Sequence, residues 1–175
     1  MPDDPSPDTQ LPGTLLPACP IPPGPILVGF SGGLDSTVLL HWLSASPHIR
    51  ERGLRALHVD HGLQAAASRW TEHCRHVAAD WGIAFTATPV TVARDGGTGM
   101  EAAAREARRA AFAAALQPGE CLALAHHRDD QAETFLLRAL RGSGVDGLAA
   151  MQSLSRFVHG NQHVEVWRPL LDIPR

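Results

Sequence analysis

Seven consecutive residues, Ser31-Gly32-Gly33-Leu34-Asp35-Ser36-Thr37, place two glycines, three hydroxyls and one carboxylate directly after the apolar run Ile26 to Phe30. Glycines let a backbone approach a ligand closely, and unpaired N–H groups at the start of a following helix point at an anion. The segment therefore reads as a phosphate cradle. Ser31, Ser36 and Thr37 can add hydroxyl donors, whereas Asp35 is poorly suited to touch phosphate and well suited to hold Mg2+ against it. An ordinary glycine turn is the bland alternative, and it leaves the acid and the hydroxyls after the glycines unexplained. A Walker A loop is excluded because it needs a lysine: all 15 basic residues are arginine. The spacing of a dinucleotide-binding glycine loop is also absent.

Two further groups end apolar runs in the same way. Asp60-His61 follows Leu54 to Val59, and His126-His127-Arg128-Asp129-Asp130 follows Cys121 to Ala125. His58, Asp60, His61, His126, His127, Asp129 and Asp130 could converge as the ligands of a two-metal phosphohydrolase. Against this, His58 fits a packed strand position and His61 a turn, and the glycine loop would have no role. Glu101, Arg105, Arg108, Arg109 and Phe112 fall at helical spacings that align the arginines along one side. Such a stripe can contact phosphates, or it can be a solvated face with Glu101–Arg105 and Glu106–Arg109 pairs worth only about 0.2 to 0.5 kcal/mol each.

The elements that must position these groups alternate short apolar runs with longer periodic stretches, the pattern of a parallel sheet with crossover helices. Strands are predicted at Ile26 to Phe30, Leu54 to Val59, Ile83 to Val90, Cys121 to Ala125 and His163 to Trp167. Helices are predicted at Thr37 to Leu43, Ser68 to Trp81, Met100 to Leu116 and Asp129 to Arg141. Asp95-Gly96-Gly97-Thr98-Gly99 reads as a glycine loop, and Gly142 to Gly147 breaks the pattern. In the last helix Ala132, Phe135, Leu136, Ala139 and Leu140 form an apolar stripe opposite Asp130, Thr134, Arg138 and Arg141. Right-handed crossovers put strand C-termini and helix N-termini on one edge, where all three suspicious groups fall. The expected fold is a three-layer α/β/α domain with a mainly parallel sheet.

With 175 residues and 44% hydrophobic content the chain can bury one sizeable core. Residues 1–24, rich in proline and without periodicity, are expected to form a disordered or extended tail, and residues 25–175 one domain. A formal charge of −3 gives no bulk signal for nucleic acid. Cys19, Cys74 and Cys121 are odd in number and widely spaced, which argues against a disulfide framework or a cysteine zinc site. With no long apolar run and no basic leader, the chain is expected to be soluble and cytoplasmic.

The loop Ser31 to Ser36 resembles the PP-loop of the ATP pyrophosphatase superfamily, whose S-G-G-x-D-S motif it matches throughout. Three segments narrow the resemblance to the tRNA(Ile)-lysidine synthetases: Leu57-His58-Val59-Asp60-His61-Gly62-Leu63, Ala125 to Thr134, and Leu137 to Gly144. Arg168-Pro169-Leu170-Leu171 looks like that family too. The resemblance implies ATP-dependent adenylation of the C2 oxygen of the wobble cytidine in the CAU-anticodon isoleucine tRNA, with pyrophosphate release, and then displacement of AMP by free L-lysine. It implies ATP contacts from Ser31, Gly32, Gly33, Leu34, Asp35, Ser36, Asp60, His61 and His126, and catalytic roles for Asp35, Asp130, Arg105 and Arg108. Mg2+ would be held by Asp35 and by Asp130, with orientation of the lysine amine the alternative role of Asp130. Arg109 stands where the family often has tyrosine. Family members usually continue into further domains that grip tRNA, so the chain is expected to represent the catalytic domain. The competing readings are a PP-loop tRNA thiolation enzyme, which would need reactive cysteines, and a nucleotide-sensing module.

Overall fold

The computed structural model describes residues 20–60, 67–91, 99–142 and 150–175. Strands β1 (Ile26–Gly29), β2 (Leu54–Asp60), β3 (Ala84–Pro89), β4 (Cys121–Ala123), β5 (Leu154–His159) and β6 (Gln162–Trp167) form one sheet in the order β3-β2-β1-β4-β6-β5. All neighbours pair in parallel except the β5–β6 hairpin at one edge. Helices are α1 (Leu34–Ser44), α2 (Pro47–Arg52), α3 (Ala67–Asp80), α4 (Met100–Ala115) and α5 (Arg128–Leu140).

Alternation along the strands assigns the two sheet faces. Ile26, Val28, Ala56, Cys121, Ala123 and Trp167 pack under Leu39, Leu40 and Leu43 of α1, Ile49 of α2, and Cys74 and Ala78 of α3. Leu27, Leu57, Leu122, Val164 and Val166 point the other way, against Phe112 and Ala113 of α4. Helices thus flank the mainly parallel sheet on both faces, as expected from sequence.

Four observations refine the sequence reading. Helix α1 starts at Leu34, three residues before the expected Thr37, because Gly33 is extended and serves as its N-cap. Asp35 and Ser36 therefore sit in the first helical turn rather than in a loop. The short α2 and the strand β5 were not anticipated. The apolar stripe of α5 finds no cover among the described residues: Phe135 and Leu136 are exposed and Leu140 is 84% exposed.

At the N-terminal side, Ile21 packs on the core and the Arg52 guanidinium donates to the carbonyls of Pro22 and Gly24. The rest of the expected tail, residues 1–19, lies outside the described residues. So do His61, the loop residues 95–98 and most of the break after Gly142.

Candidate functional site

The cradle forms where β1 hands over to α1. Gly32 has φ +80, a region that favours glycine, and a Cβ there would lie 2.5 Å from the Cys74 sulfur and 3.1 Å from the Trp70 indole nitrogen. The loop thus rests directly on α3. Trp70 donates its indole N–H to the Ser31 carbonyl at 2.6 Å, while His58 Nδ1 lies 2.9 Å from the Phe30 carbonyl and 3.7 Å from the Cys74 sulfur. Inside the loop, the Ser31 and Ser36 hydroxyls share a 2.9 Å hydrogen bond, and those of Ser36 and Thr37 donate to the Gly33 carbonyl at 3.0 and 2.9 Å.

His127 joins this loop to α5. It is the N-cap of α5, and its Nδ1 accepts from the Asp129 backbone N–H at 3.2 Å. In the neutral ring the proton must then sit on Nε2, which faces Asp35 Oδ2 at 3.7 Å and Asp130 Oδ2 at 3.5 Å. Asp130 is itself fixed by accepting the His127 backbone N–H at 2.9 Å. One buried imidazole therefore lies within 4 Å of two carboxylates from different helices, at a common locus beside the cradle. Arg175 also approaches Asp35, at 3.5 Å.

His126 faces other partners. The backbone at His127 is extended, so neighbouring side chains project to opposite sides. His126 Nδ1 accepts from Arg168 Nε at 3.2 Å, and Arg168 Nη1 donates to the Gln152 carbonyl and the Ser155 hydroxyl at 3.0 and 2.7 Å. Burial and then the Arg168 charge push His126 down to about 4, with Arg105 and Arg108 adding to the effect and Asp130 opposing it. Burial and then Arg105 lower both Arg108 and Arg168. Three guanidinium groups gather about one neutral imidazole, an arrangement that favours an arriving oxyanion.

A family model described as a PP-loop domain matches residues 16–175. The chain belongs to the PP-loop domain family. A tRNA(Ile)-lysidine synthase of Xanthomonas campestris pv. campestris is 63% identical over 147 residues, covering 84% of this chain and 33% of that protein. The tRNA(Ile)-lysidine synthases of Xylella fastidiosa and Legionella pneumophila are 57% identical over 147 residues and 47% over 150, covering 84% and 86% of this chain. The chain spans about a third of the length of these curated relatives. Among solved structures, the U34-tRNA thiolase NcsA from Methanococcus maripaludis shares the fold, with a TM-score of 0.60 at 21% identity, over 87% of this chain and 53% of that one.

Within this PP-loop domain the residues singled out from sequence fall into two groups. Ser31, Gly32, Gly33, Asp35 and Ser36 lie together, and Asp130 joins them through His127. Leu34 starts α1 with its side chain 64% exposed. His126 instead bonds Arg168 and feels the charges of Arg105 and Arg108. Asp60 ends β2, where Thr71 of α3 donates to its carboxylate at 3.4 Å, and His61 lies outside the described residues. Arg109 stacks over the Phe157 ring at 4.4 Å and approaches Glu106 at 3.9 Å, so it braces α4 against β5.

From sequence His127 enters only as a ligand of the alternative two-metal site, and Trp70 and Arg168 have no site role. His127 and Asp130 do carry a legible signal, the spacing of a helix N-cap and its third residue, although histidine is an unusual member of that pair. Trp70 reads only as part of an apolar helix face.

Proposed function

We propose that this domain performs the ATP-dependent chemistry of tRNA(Ile)-lysidine synthesis. Its substrates would be ATP, the CAU-anticodon isoleucine tRNA and free L-lysine. The observation that carries the reading is the complete Ser31–Ser36 loop, anchored on α3, with Asp35 and Asp130 brought to one locus by His127. Relatives at 47 to 63% identity named tRNA(Ile)-lysidine synthase support the reading.

In the first step the C2 oxygen of the wobble cytidine attacks the α-phosphorus of ATP. The bond to the oxygen bridging the α- and β-phosphorus breaks, and that oxygen leaves with pyrophosphate. In the second, the amine of lysine attacks C2, the C2–O bond breaks, AMP departs with that oxygen, and the amine loses its proton. Activation is needed because a carbonyl oxygen leaves poorly and an adenylate leaves readily. The cradle N–H groups and the Ser31 and Ser36 hydroxyls would hold the β,γ-phosphates. Arg105 and Arg108, with Arg168, would stabilise negative charge as it develops.

Asp35 and Asp130 would hold Mg2+. Two carboxylates beside a phosphate cradle suit an ion that takes one or two carboxylates and completes its shell with phosphate oxygens and water. When bound, Mg2+ would neutralise charge on the phosphate oxygens. The His127 backbone N–H orients Asp130, and the His127 ring lies within 4 Å of both carboxylates. Asp60, His61 and His126 would border the nucleotide.

Sulfur transfer by a PP-loop relative needs an accessible thiolate. Burial pushes the Cys74 thiol up to about 11, and Cys121 is buried in β4, so neither suits that role. A reaction consuming ATP and tRNA belongs in the cytoplasm, and no helix among the described residues is long and apolar enough to cross a membrane.

The test follows α-labelled ATP with Mg2+, the CAU-anticodon tRNA and lysine, comparing the chain with Asp35→Ala. Label passing transiently to tRNA and then to AMP, and lost at least a hundredfold in the variant, is the expected result. Phosphate release without pyrophosphate would overturn the reading.

A further inference from the structure

The peptide joining Ser31 to Gly32 is the first unit of the cradle, and one side chain outside the loop touches its polar atoms. The indole N–H of Trp70, on α3, donates to the Ser31 carbonyl at 2.6 Å. In a trans peptide the C=O and the next N–H point in opposite directions, and the described chain has no cis peptide. A carbonyl pinned toward α3 therefore turns the Gly32 N–H away from α3. Glycine tolerates either orientation of this peptide, because flipping it exchanges a positive φ for a negative one at a residue without a Cβ. In the structure Gly32 sits at φ +80. The loop's own sequence thus leaves a choice between presenting an N–H or a carbonyl oxygen to an anion, and the second would repel phosphate.

We propose that Trp70 is a positioning residue for the PP-loop: its indole N–H locks the Ser31–Gly32 peptide in the orientation that offers the Gly32 N–H to the phosphates. Packing adds to the effect. The Trp70 nitrogen and the Cys74 sulfur lie 3.1 and 2.5 Å from the point a Gly32 Cβ would occupy, so the underside of the loop is in contact with α3 at two side chains. Cys74 is fully buried and fixes the height of the loop, whereas Trp70, 48% exposed, fixes its polarity. A hydrophobic side chain of similar shape could replace the packing of Trp70 and could not replace its donor.

The inference rests on the cradle holding phosphate, and the experiment separates the two claims. The probes are Mg2+-pyrophosphate, ATP and adenosine, titrated into the wild-type chain and into Trp70→Phe, which keeps a ring and loses the N–H. The expected result is about fivefold weaker binding of pyrophosphate and ATP, the scale of one hydrogen bond, with adenosine binding unchanged. A purely packing role would not produce that split between phosphate-bearing and phosphate-free probes.

A second readout is taken on the wild-type protein, with the variant used only for assignment. Of the four indole N–H resonances, the one missing in Trp70→Phe is assigned to Trp70, and it shifts on adding Mg2+-pyrophosphate. If wild type does not bind pyrophosphate, the cradle reading itself fails. If wild type binds and Trp70→Phe matches it within twofold, or the Trp70 resonance stays in place, the positioning role is overturned while the cradle stands.

Discussion

The two ends of the sheet treat charge in opposite ways. At the end where β2 and β4 begin, Arg55 meets Glu120 through two hydrogen bonds of 2.8 and 2.7 Å. Glu120 also accepts the Gln117 N–H at 2.7 Å, and Arg55 donates to the Ala115 carbonyl at 3.0 Å. Burial pushes Glu120 up, but Arg55 and the Gln117 N–H outweigh it and hold the carboxyl below its usual range. At the opposite end burial and then the Arg105 charge lower both Arg108 and Arg168, and Asp35 and Asp130 both lie within 4 Å of a single imidazole. Charges that complete each other hold the fold. Like charges brought near one another favour an oppositely charged ligand, which is why such a cluster marks a candidate site.

The contrast breaks most sharply at the cradle. Gly32→Ala forces a Cβ into the Cys74 sulfur at a backbone angle that L-residues avoid, so ATP affinity by calorimetry is expected to fall more than a hundredfold. Next in size is the closed end. Glu120→Ala strands a guanidinium that is three-quarters covered, and should cost about 2 to 3 kcal/mol, lowering the thermal midpoint by about 5 to 10 °C while leaving nucleotide affinity intact. A midpoint unchanged within 1 °C would show that the closed end is not where stability resides.

The last effect reads the open end through pH. His126 is held near 4 in the folded chain, against about 6.5 when unfolded, so between these values the unfolded chain binds more protons. Stability from this group is complete above about pH 6.5 and is lost as pH falls toward 4, a change on the order of 3 kcal/mol. His126→Gln should flatten that part of the curve in denaturant titrations. Arg105→Gln should raise the His126 midpoint measured by NMR, and no rise would mean that the arginine field does not reach the ring.

Much of the architecture was legible because it is written in contiguous segments. Apolar runs such as Leu54 to Val59 and the helix periodicity of α3 and α4 mark buried elements directly, and the cradle is one unbroken heptapeptide. Six-residue α2, opening with Pro47, is too short to display a period. Strand β5 alternates Leu154, Arg156 and Val158 outward with Ser155 and Phe157 inward, so its apolar signal is split between two faces. The site's supporting contacts were illegible for a different reason. Trp70 reaches Ser31 across 39 positions and Arg168 reaches His126 across 42, and no local pattern encodes such a meeting. In α5 the pattern showed which face is apolar, but periodicity carries no information about what covers that face.

Helix α5 brings two of these observations together. It supplies Asp130 at its first turn, yet Phe135, Leu136 and Leu140 face solvent, and its side-chain ties to the rest of the fold include Gln131 to Met151, Arg128 to Asp172 and Arg138 to Ala150. A helix held largely by polar ties opens at lower cost than one sunk in a core. If Asp130 takes a ligand as proposed, occupancy of the site would be expected to slow amide exchange along this helix.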